Sequence, residues 1–297
     1  MSIIVNKNSK VLIQGITGNV GMKIAEKMIN DKTNLLCGVT PGKGGQKIYN
    51  IPVFNSIKEA LAQENAEIEI CFSAVPPPFV KDSVFEALYY GIKKIVVYTE
   101  GVPLQDSYEC VYYAKMNNAM LLGPNSAGVV SPEEANVSDL NSVNLIKGNI
   151  GIVSKSGTIT YEVIEGLRQF NLGVSTVVCL GGDPIVGTNF SQVLNLFNQD
   201  NETKAIILLG EIGGNLEIEA IPMIKNLKKP IFVYISGHAV PEGKQMGHAG
   251  AIVNKENDSA FSKSELLKNV GANVAKLVID IPKMVAKHFK LNKDVKR

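Results

Sequence analysis

Short apolar runs alternate with amphipathic stretches along the whole chain. This alternation is typical of βαβ units, in which apolar runs form parallel strands and amphipathic stretches form the helices between them. In the first half, five apolar runs predict strands at Lys10–Gln14, Asn34–Val39, Ile68–Ser73, Lys94–Tyr98 and Ala119–Leu122. Helices are predicted between them at Met22–Ile29, Phe79–Tyr90 and Gln105–Met116.

The alternation stops between Pro124 and Gly148, where the chain becomes polar, and resumes afterwards. A helix is predicted from about Thr158 to Gln169. Six further strands are predicted at Asn149–Ser154, Thr176–Leu180, Ala205–Leu209, Ile231–Ile235, Ala249–Val253 and Val274–Val278. The predicted fold is therefore α/β, with a Rossmann-like domain over residues 1–125, a linker over 126–148 and a flavodoxin-like parallel α/β domain over 149–297.

Composition narrows the class of protein. A chain of 297 residues with 45% apolar and 20% charged residues fits two globular domains. The net charge of +2 disfavours a nucleic-acid partner. The N-terminus lacks a signal-peptide pattern, and no apolar run is long enough to predict a membrane span. The four cysteines show no metal spacing and are interpreted as buried reduced thiols, which predicts a reducing compartment, either the cytoplasm or an organelle matrix. We expect the cytoplasm of a bacterium or archaeon, and otherwise a mitochondrial matrix.

The first predicted strand leads into a turn with glycines at Gly15, Gly18 and Gly21. Glycine lets backbone N–H groups approach an anion at a helix N-terminus. A nicotinamide dinucleotide would usually need an acid at the end of the second strand, but a glycine-rich loop with Lys43 follows there. This pattern disfavours NAD and favours a phosphate-rich adenine ligand such as coenzyme A.

The second half carries three features that together predict a site for a phosphorylated histidine. The turn from Ser154 to Thr158 joins a strand to a helix with small hydroxyl residues, which suits an anion or an ordinary helix N-cap. Glu211 follows a strong strand, where a carboxylate can orient and charge an imidazole. His248 lies between Gly247 and a nearby second glycine in a basic loop, so its backbone is free to move.

Seven motifs covering almost the whole chain resemble the α subunit of succinyl-CoA synthetase, also called succinate–CoA ligase. They are Gly38–Gly45, Tyr98–Pro103, Gly123–Asn125, Ser154–Thr158, Gly181–Pro184, Gly210–Gly214 and Gly247–Ala251. The resemblance implies reversible, nucleoside-triphosphate-dependent formation of succinyl-CoA from succinate and CoA, through a phosphohistidine and an acyl phosphate.

The resemblance also implies the roles of individual residues. His248 would be the phosphorylated residue and Glu211 the acid that contacts it. Residues matching the phosphate- and substrate-binding positions are Ser154, Ser156, Gly157 and Tyr161. Residues matching the CoA-binding positions of the N-terminal domain are Thr17, Gly18, Asn19, Val20, Lys43, Tyr98, Thr99 and Glu100. No metal site is expected on this chain.

The implied partner is a β subunit with an ATP-grasp fold, which would bind ATP or GTP with Mg²⁺ in an αβ or α₂β₂ assembly. The absence of a Walker-type loop in this chain agrees with that division. Ser126 and Ala127 stand where family members commonly carry Cys and Pro, so a ligase for malate or another small carboxylate stays open. A CoA-binding protein without catalysis is a further alternative.

Overall fold

The computed structural model describes residues 2–64, 67–240, 244–253 and 258–290, so the last residues of the predicted second domain, 291–297, lie outside the described residues. The chain divides into two compact units. The N-terminal unit comprises Ile4–Leu140 together with Ile185–Thr188, and the C-terminal unit comprises the rest of the described chain.

The N-terminal unit is built on a mostly parallel sheet. Its strands are β1 (Val11–Gln14), β2 (Leu35–Val39), β3 (Lys47–Ile48), β4 (Ile51–Phe54), β5 (Ile70–Ser73), β6 (Lys94–Val97) and β7 (Met120–Leu122). They lie in the order β3-β4-β2-β1-β5-β6-β7, and β3 alone among them pairs antiparallel in the described part of the chain. Without β3 this is the doubly wound order of a Rossmann fold, which confirms the predicted class.

Helices connect these strands, with apolar positions turned toward the sheet. They are α1 (Asn19–Asn30), α2 (Ile57–Glu64), α3 (Val80–Tyr89) and α4 (Leu104–Met116), with a 3₁₀ turn at Pro77–Phe79. In α1, for example, Ile24, Ala25 and Met28 are buried. The sequence predicted α1, α3 and α4 but not α2, which is short and mixes charged with apolar residues.

The predicted linker, 126–148, contains a buried β-hairpin. Strands β8 (Gly128–Ser131) and β9 (Ala135–Ser138) pair antiparallel, and every residue in them is buried. Asn136 explains why a polar segment forms a strand here: its main chain exchanges hydrogen bonds with the Thr33 hydroxyl, and its side-chain amide donates to Asp31 at 2.7 Å. The prediction of an irregular linker is therefore wrong for this hairpin, whose polar groups are buried with hydrogen-bond partners.

The C-terminal unit holds a second parallel sheet. Its strands are β10 (Lys147–Ser154), β11 (Val174–Cys179), β12 (Ala205–Glu211), β13 (Ile231–Ser236) and β14 (Asn273–Val274). They lie in the order β14-β13-β12-β10-β11, which is the flavodoxin-like arrangement that the sequence predicts. Strands β11 and β12 are buried along their whole length, as expected when helices cover both faces of a sheet.

The helices of this unit are α5 (Gly157–Arg168), α6 (Phe190–Gln199), α7 (Leu216–Glu219), α8 (Ile221–Lys225), α9 (Ala260–Asn269) and α10 (Asp280–His288). The predicted strand Ala249–Val253 is wrong. Residues 245 and 252 form an isolated bridge, and the segment closes on itself through local bonds such as that from the Ala251 N–H to the His248 carbonyl. Ala251 and Val253 are buried in this loop, so the apolar pattern reflected partial burial rather than a strand.

Cys37, Cys71, Cys110 and Cys179 are all buried free thiols, as the sequence predicts. Burial raises the pKa values of Cys110 and Cys179 to about 12. Within the described ranges, no helix combines the length and apolarity needed to cross a bilayer.

Candidate active site

Each sheet reverses its strand order at one point, where the carboxyl ends of two neighbouring strands open a crevice that binds ligands in such folds. We call this position the switch point of the sheet. In the N-terminal unit it lies between β1 and β5, and in the C-terminal unit it lies between β10 and β12. Residues that the sequence selected lie at these strand ends: Gly15 follows β1, Ser154 ends β10, and Glu211 ends β12.

At the N-terminal switch point, glycines bring the turn close against its surroundings. Gly15 has φ +80°, and a Cβ on Gly21 would lie 2.2 Å from the Gly15 carbonyl oxygen. Gly18 precedes α1 in extended geometry, and no side chain caps the helix. Gly18, Asn19 and Val20 are exposed. The first N–H groups of α1 are therefore presented at the surface, where an anion can accept them.

A cavity of about 590 Å³ opens beside this turn. Gly15, Thr40 and Val75 line it from the ends of three neighbouring strands, and Pro41 and Phe79 add apolar surface. Its polar wall is a connected network. The buried side-chain amide of Gln14 donates to the Glu86 carboxylate at 3.1 Å, and the Ser83 hydroxyl donates to the side-chain oxygen of Gln14 at 2.7 Å. The cavity thus combines apolar walls with a few fixed polar groups, as small-molecule sites usually do.

The remaining N-terminal candidates lie in the strand-end loops around this edge. Lys43 is exposed, and the Asn55 carboxamide oxygen shapes its loop by accepting the N–H groups of Gly42 and Gly44, both at 3.0 Å. Thr99 donates to the carbonyl oxygen of Val75, a cavity residue, at 2.5 Å.

Tyr98 and Glu100 flank Thr99 directly after β6. The Tyr98 hydroxyl donates to Asp139 at 3.2 Å, and Glu100 is exposed. The Tyr98 hydroxyl is thus engaged within the unit, while the Glu100 carboxylate is open to solvent.

In the C-terminal unit, the turn that follows β10 is held by hydroxyl groups. Ser154 is fully buried, and its hydroxyl accepts the Ser156 N–H at 3.0 Å. Ser156 is the N-cap of α5, accepting the Ile159 N–H through its own hydroxyl. Gly157 opens the helix, which directs its first N–H groups toward the carboxyl edge of the sheet.

Glu211 lies between two cationic or titratable partners. One carboxylate oxygen, Oε1, is 2.9 Å from Lys155 Nζ, and the other, Oε2, is 2.8 Å from His248 Nδ1. The side chains of Lys155 and Glu211 are 5% and 3% exposed, whereas that of His248 is 26% exposed. The predicted catalytic pair is therefore in contact, and the imidazole Nε2 is not used in this contact.

The charges of these groups depend on one another. Burial raises the pKa of Glu211, but the hydrogen bond to His248 and the charge of Lys155 more than offset it, so its pKa lies below the ordinary value. The hydrogen bond to Glu211 raises the pKa of His248, against burial and the Lys155 charge. Burial lowers the pKa of Lys155, but the charges of Glu217 and Glu211 raise it by more, so the pKa of Lys155 lies above its ordinary value. A carboxylate that stays ionised next to the imidazole follows from these shifts.

The main chain of Glu211 is held by a fully buried ion pair. Glu217 accepts the Glu211 N–H at 3.1 Å. Lys263 donates to the Glu211 carbonyl at 2.8 Å, to the Gly213 carbonyl at 2.7 Å and to the Glu217 carboxylate at 2.6 Å. Both side chains are 0% exposed. These bonds hold the backbone from which the Glu211 carboxylate extends.

Glycines make room for the His248 ring and its loop. A Cβ on Gly182 would lie 2.4 Å from His248 Cγ, so only glycine lets the ring pack there. Gly213 has φ +79°, and a Cβ there would lie 2.3 Å from the Gly250 carbonyl. Gly247, directly before the histidine, has φ +69°. The loop therefore approaches the backbone of its neighbours more closely than side chains would allow.

Two predicted residues have other partners in this structure. Tyr161 lies on α5, and its hydroxyl accepts the Asn141 N–H at 2.8 Å. Ser126 is 1% exposed, and its hydroxyl accepts the Gly128 N–H at 3.0 Å. The Ser126 hydroxyl thus shapes the turn before β8.

Sequence reasoning missed Lys155 as a partner of Glu211, and it missed Glu217, Lys263 and the cavity residue Asn55. The position of Lys155 directly after a strand that lines the switch point was a usable signal. Lys263 carries no such signal, because a lysine in a polar helical stretch is ordinarily exposed.

Two family models match the chain. Residues 6–101 match the one described as a CoA binding domain, and residues 153–272 match the one described as CoA-ligase. The switch point of each sheet falls within one of these ranges.

Curated proteins and solved structures are similar over most of the chain. "Succinate--CoA ligase [ADP-forming] subunit alpha 1" from Archaeoglobus fulgidus is 44% identical and covers 96% of this chain and 97% of its own length. The corresponding α subunit from Aquifex aeolicus is 45% identical, covering 98% of this chain and 96% of its own length. A solved ATP citrate lyase from Methanosaeta concilii, in complex with (3S)-citryl-CoA, superposes with a TM-score of 0.89 at 23% identity. That match covers 97% of this chain but 50% of the lyase chain, and it indicates a shared fold.

Proposed function

Because the chain belongs to the family of succinate–CoA ligase α subunits, we propose that it binds CoA in its N-terminal unit and carries a phosphoryl group on His248. The observation that carries this proposal is the 2.8 Å contact between His248 Nδ1 and Glu211. A carboxylate at Nδ1 favours the tautomer with the proton on Nδ1, which leaves the Nε2 lone pair available as a nucleophile.

The reaction then proceeds in three transfers. First, His248 Nε2 attacks the terminal phosphorus of a nucleoside triphosphate, an N–P bond forms, and the nucleoside diphosphate leaves. Second, a carboxylate oxygen of succinate attacks the same phosphorus, which gives succinyl phosphate and the free imidazole. Third, the CoA sulfur attacks the succinyl carbonyl as its thiol proton is lost, the thioester forms, and phosphate leaves. Each step needs positioning and charge stabilisation more than covalent chemistry from the protein.

The turn from Ser154 to Gly157 suits the phosphoryl group. Helix α5 starts there, and its unpaired N–H groups and positive dipole end stabilise an anion. The hydroxyls of Ser154 and Ser156 fix the turn through their own hydrogen bonds, so the helix N-terminus is already arranged before an anion arrives. We assign Tyr161 to the succinate side of the same helix, four residues further on.

CoA fits the N-terminal switch point. Its phosphates would lie against the turn at Thr17 and Gly18 and accept from the N–H groups of Asn19 and Val20, and Lys43 would add a positive charge from its exposed loop. The cavity lined by Val39, Val75 and Phe79 offers apolar surface for an adenine ring.

Tyr98, Thr99 and Glu100 complete the same edge of the sheet. Thr99 is bonded to the main chain of Val75, one of the cavity residues. We propose that these three residues lie along the CoA-binding edge of the N-terminal sheet and contact the bound CoA.

The partner is a β subunit, which the α-subunit names of the relatives imply. We propose that it has an ATP-grasp fold and binds the nucleotide with Mg²⁺, and that the nucleotide is ATP, because both reported relatives are named ADP-forming. His248 would reach that nucleotide on its glycine-rich loop and return to Glu211 carrying the phosphoryl group.

Incubation of the chain with its β subunit and γ-labelled ATP or GTP tests this function. We expect acid-labile, base-stable label on this chain, lost in His248→Asn and retained in the matched variant His238→Asn, since His238 is exposed outside the site. Both variants should still bind CoA. Label retained in His248→Asn would overturn the role of His248.

A panel of small carboxylic acids with CoA and the complete αβ enzyme tests the substrate. Succinate should give the highest rate of thioester formation. A preference for malate would overturn succinate as the substrate while leaving the phosphohistidine assignment intact.

A further inference from the structure

One carboxylate in the C-terminal unit is shared between two nitrogen-bearing side chains. Lys155 meets Glu211 at Oε1 and His248 meets it at Oε2, at 2.9 Å and 2.8 Å. The contact with Lys155 is a consequence of the sheet. The Lys155 N–H bonds to the Leu209 carbonyl of β12, so the first residue after β10 always lies beside the end of β12.

We propose that Lys155 is a positioning residue for the Glu211–His248 pair: its ammonium group offsets the Glu211 charge, which keeps the imidazole neutral with Nδ1 donating and Nε2 free. This inference rests on the proposed role of His248 as phosphoryl acceptor. Without Lys155, a buried carboxylate facing His248 would favour the imidazolium form, whose Nε2 carries a proton and cannot attack phosphorus.

Stability alone is a weak reason for this lysine. Removing an ammonium group from water carries a large desolvation penalty, and a buried ion pair is often no better for stability than well-packed apolar side chains. Lys155 is nevertheless 5% exposed and is directed at the Glu211 carboxylate, which contacts His248. By contrast, the fully buried Lys263 contacts Glu211 only at its main-chain carbonyl, which fixes geometry without neutralising the carboxylate.

The charges around the pair support the same conclusion. Glu211 and Asp183 favour a protonated His248, whereas Lys155 opposes it. Around Glu211, the charge of Lys155 and the contact with His248 favour the ionised carboxylate. The Glu217 carboxylate, which accepts the Glu211 N–H, is itself paired with Lys263. Lys155 is thus the cation that limits how strongly Glu211 raises the pKa of His248.

Titration of the histidines by NMR in the full-length, histidine-labelled chain measures this effect directly. The chain has three histidines, and His248→Asn identifies the signal. We expect Lys155→Met to move the His248 midpoint upward by about one pH unit, and Lys155→Arg, which keeps the charge, to restore it. An unchanged midpoint in folded Lys155→Met would overturn the inference.

A second pair of variants decides the matter if Lys155→Met does not fold. In Glu211→Gln the Lys155 charge is no longer offset, so His248 should titrate below an ordinary imidazole. Adding Lys155→Met to Glu211→Gln removes both buried charges and should bring the midpoint back up. Equal midpoints in the single and double variants would equally overturn the inference.

Phosphorylation with the β subunit provides the functional readout. In Lys155→Met the acid limb of the pH–rate profile should shift to higher pH together with the histidine midpoint. At pH values below the midpoint the labelling rate should then be about tenfold lower than in the unaltered chain, and it should recover at high pH. A loss that is equal at every pH would contradict positioning through charge. If the unaltered chain takes no label at all, the proposed function fails, while the NMR titration still tests the coupling of Lys155 to His248.

Discussion

The junction between β1 and α1 and the junction between β10 and α5 have the same strand–turn–helix topology, but they differ in what satisfies the N–H groups at the start of the helix. Before α1, glycines form the turn, no side chain caps the helix, and residues 18–20 are exposed. Before α5, Ser154 and Ser156 hold the turn with their hydroxyls, and Lys155 is buried against Glu211.

This difference matches two kinds of ligand. A turn made of backbone alone leaves its N–H groups to whatever binds, which suits a substrate such as CoA that arrives from solvent and leaves again. A turn supported by hydroxyls and buried charges is organised in advance, which suits a group that arrives on the protein's own side chain and must be held in one geometry.

The largest effect is expected at the buried carboxylate. Glu211→Gln removes the charge and lets an amide N–H face His248, which favours the wrong tautomer. We expect phosphohistidine formation to fall on the order of 100-fold, measured by label transfer from ATP in the αβ complex. Glu165→Gln, which is exposed and paired with Arg168, should leave the rate unchanged. A Glu211→Gln enzyme with the normal rate would contradict the pre-organised site.

Next in size is a methyl group in the glycine turn. Gly21→Ala places a Cβ 2.2 Å from the Gly15 carbonyl, so the turn must shift, at a cost of about 1–3 kcal/mol in stability. CoA affinity should fall with it, as measured by calorimetry. Gly18→Ala in the same turn leaves 3.3 Å to its nearest atom and should cost less stability. Equal effects at both positions would show that the close approach is unimportant.

A smaller effect is expected at the hydroxyl cap. Ser156→Ala removes the acceptor for the Ile159 N–H and should lower the free energy of unfolding by about 1 kcal/mol. Denaturant unfolding measures this change. CoA affinity should not move, because the substitution lies in the other unit. The reverse experiment, Gly18→Ser, should stabilise α1 slightly yet weaken CoA binding, since the new hydroxyl competes for the N–H groups that face the ligand.

The smallest effect is the pH dependence of stability. The folded pKa of Glu211 is lowered, so its contribution is present above the ordinary Glu value and is lost as the pH falls through the folded pKa. The folded pKa of His248 is raised, so its contribution is complete below about 6.5 and is lost as the pH rises through the folded pKa. The contribution of this pair to the free energy of unfolding should therefore be largest between about pH 4.5 and 6.5. His248→Asn should flatten the alkaline decline.

The sequence predicted what is set by local pattern and failed where tertiary contacts decide. The two parallel α/β units were predicted from the alternation of apolar and amphipathic stretches, and Glu211 and His248 were found because a strand end and flanking glycines are visible in the chain. The hairpin β8–β9 was missed because its buried polar residues look like a loop until Thr33 and Asp31 supply their partners. Conversely, the run Ala249–Val253 buries Ala251 and Val253 but forms no strand.

The buried thiols make the chain convenient for a different kind of experiment. All four cysteines lie in the interior, where they are shielded from maleimide reagents. A single cysteine introduced at Gln245, an exposed residue three positions before His248, would carry a fluorophore at one defined place without removal of the native cysteines. Energy transfer from that position to a dye on the β subunit would then report in real time where the histidine loop resides during turnover.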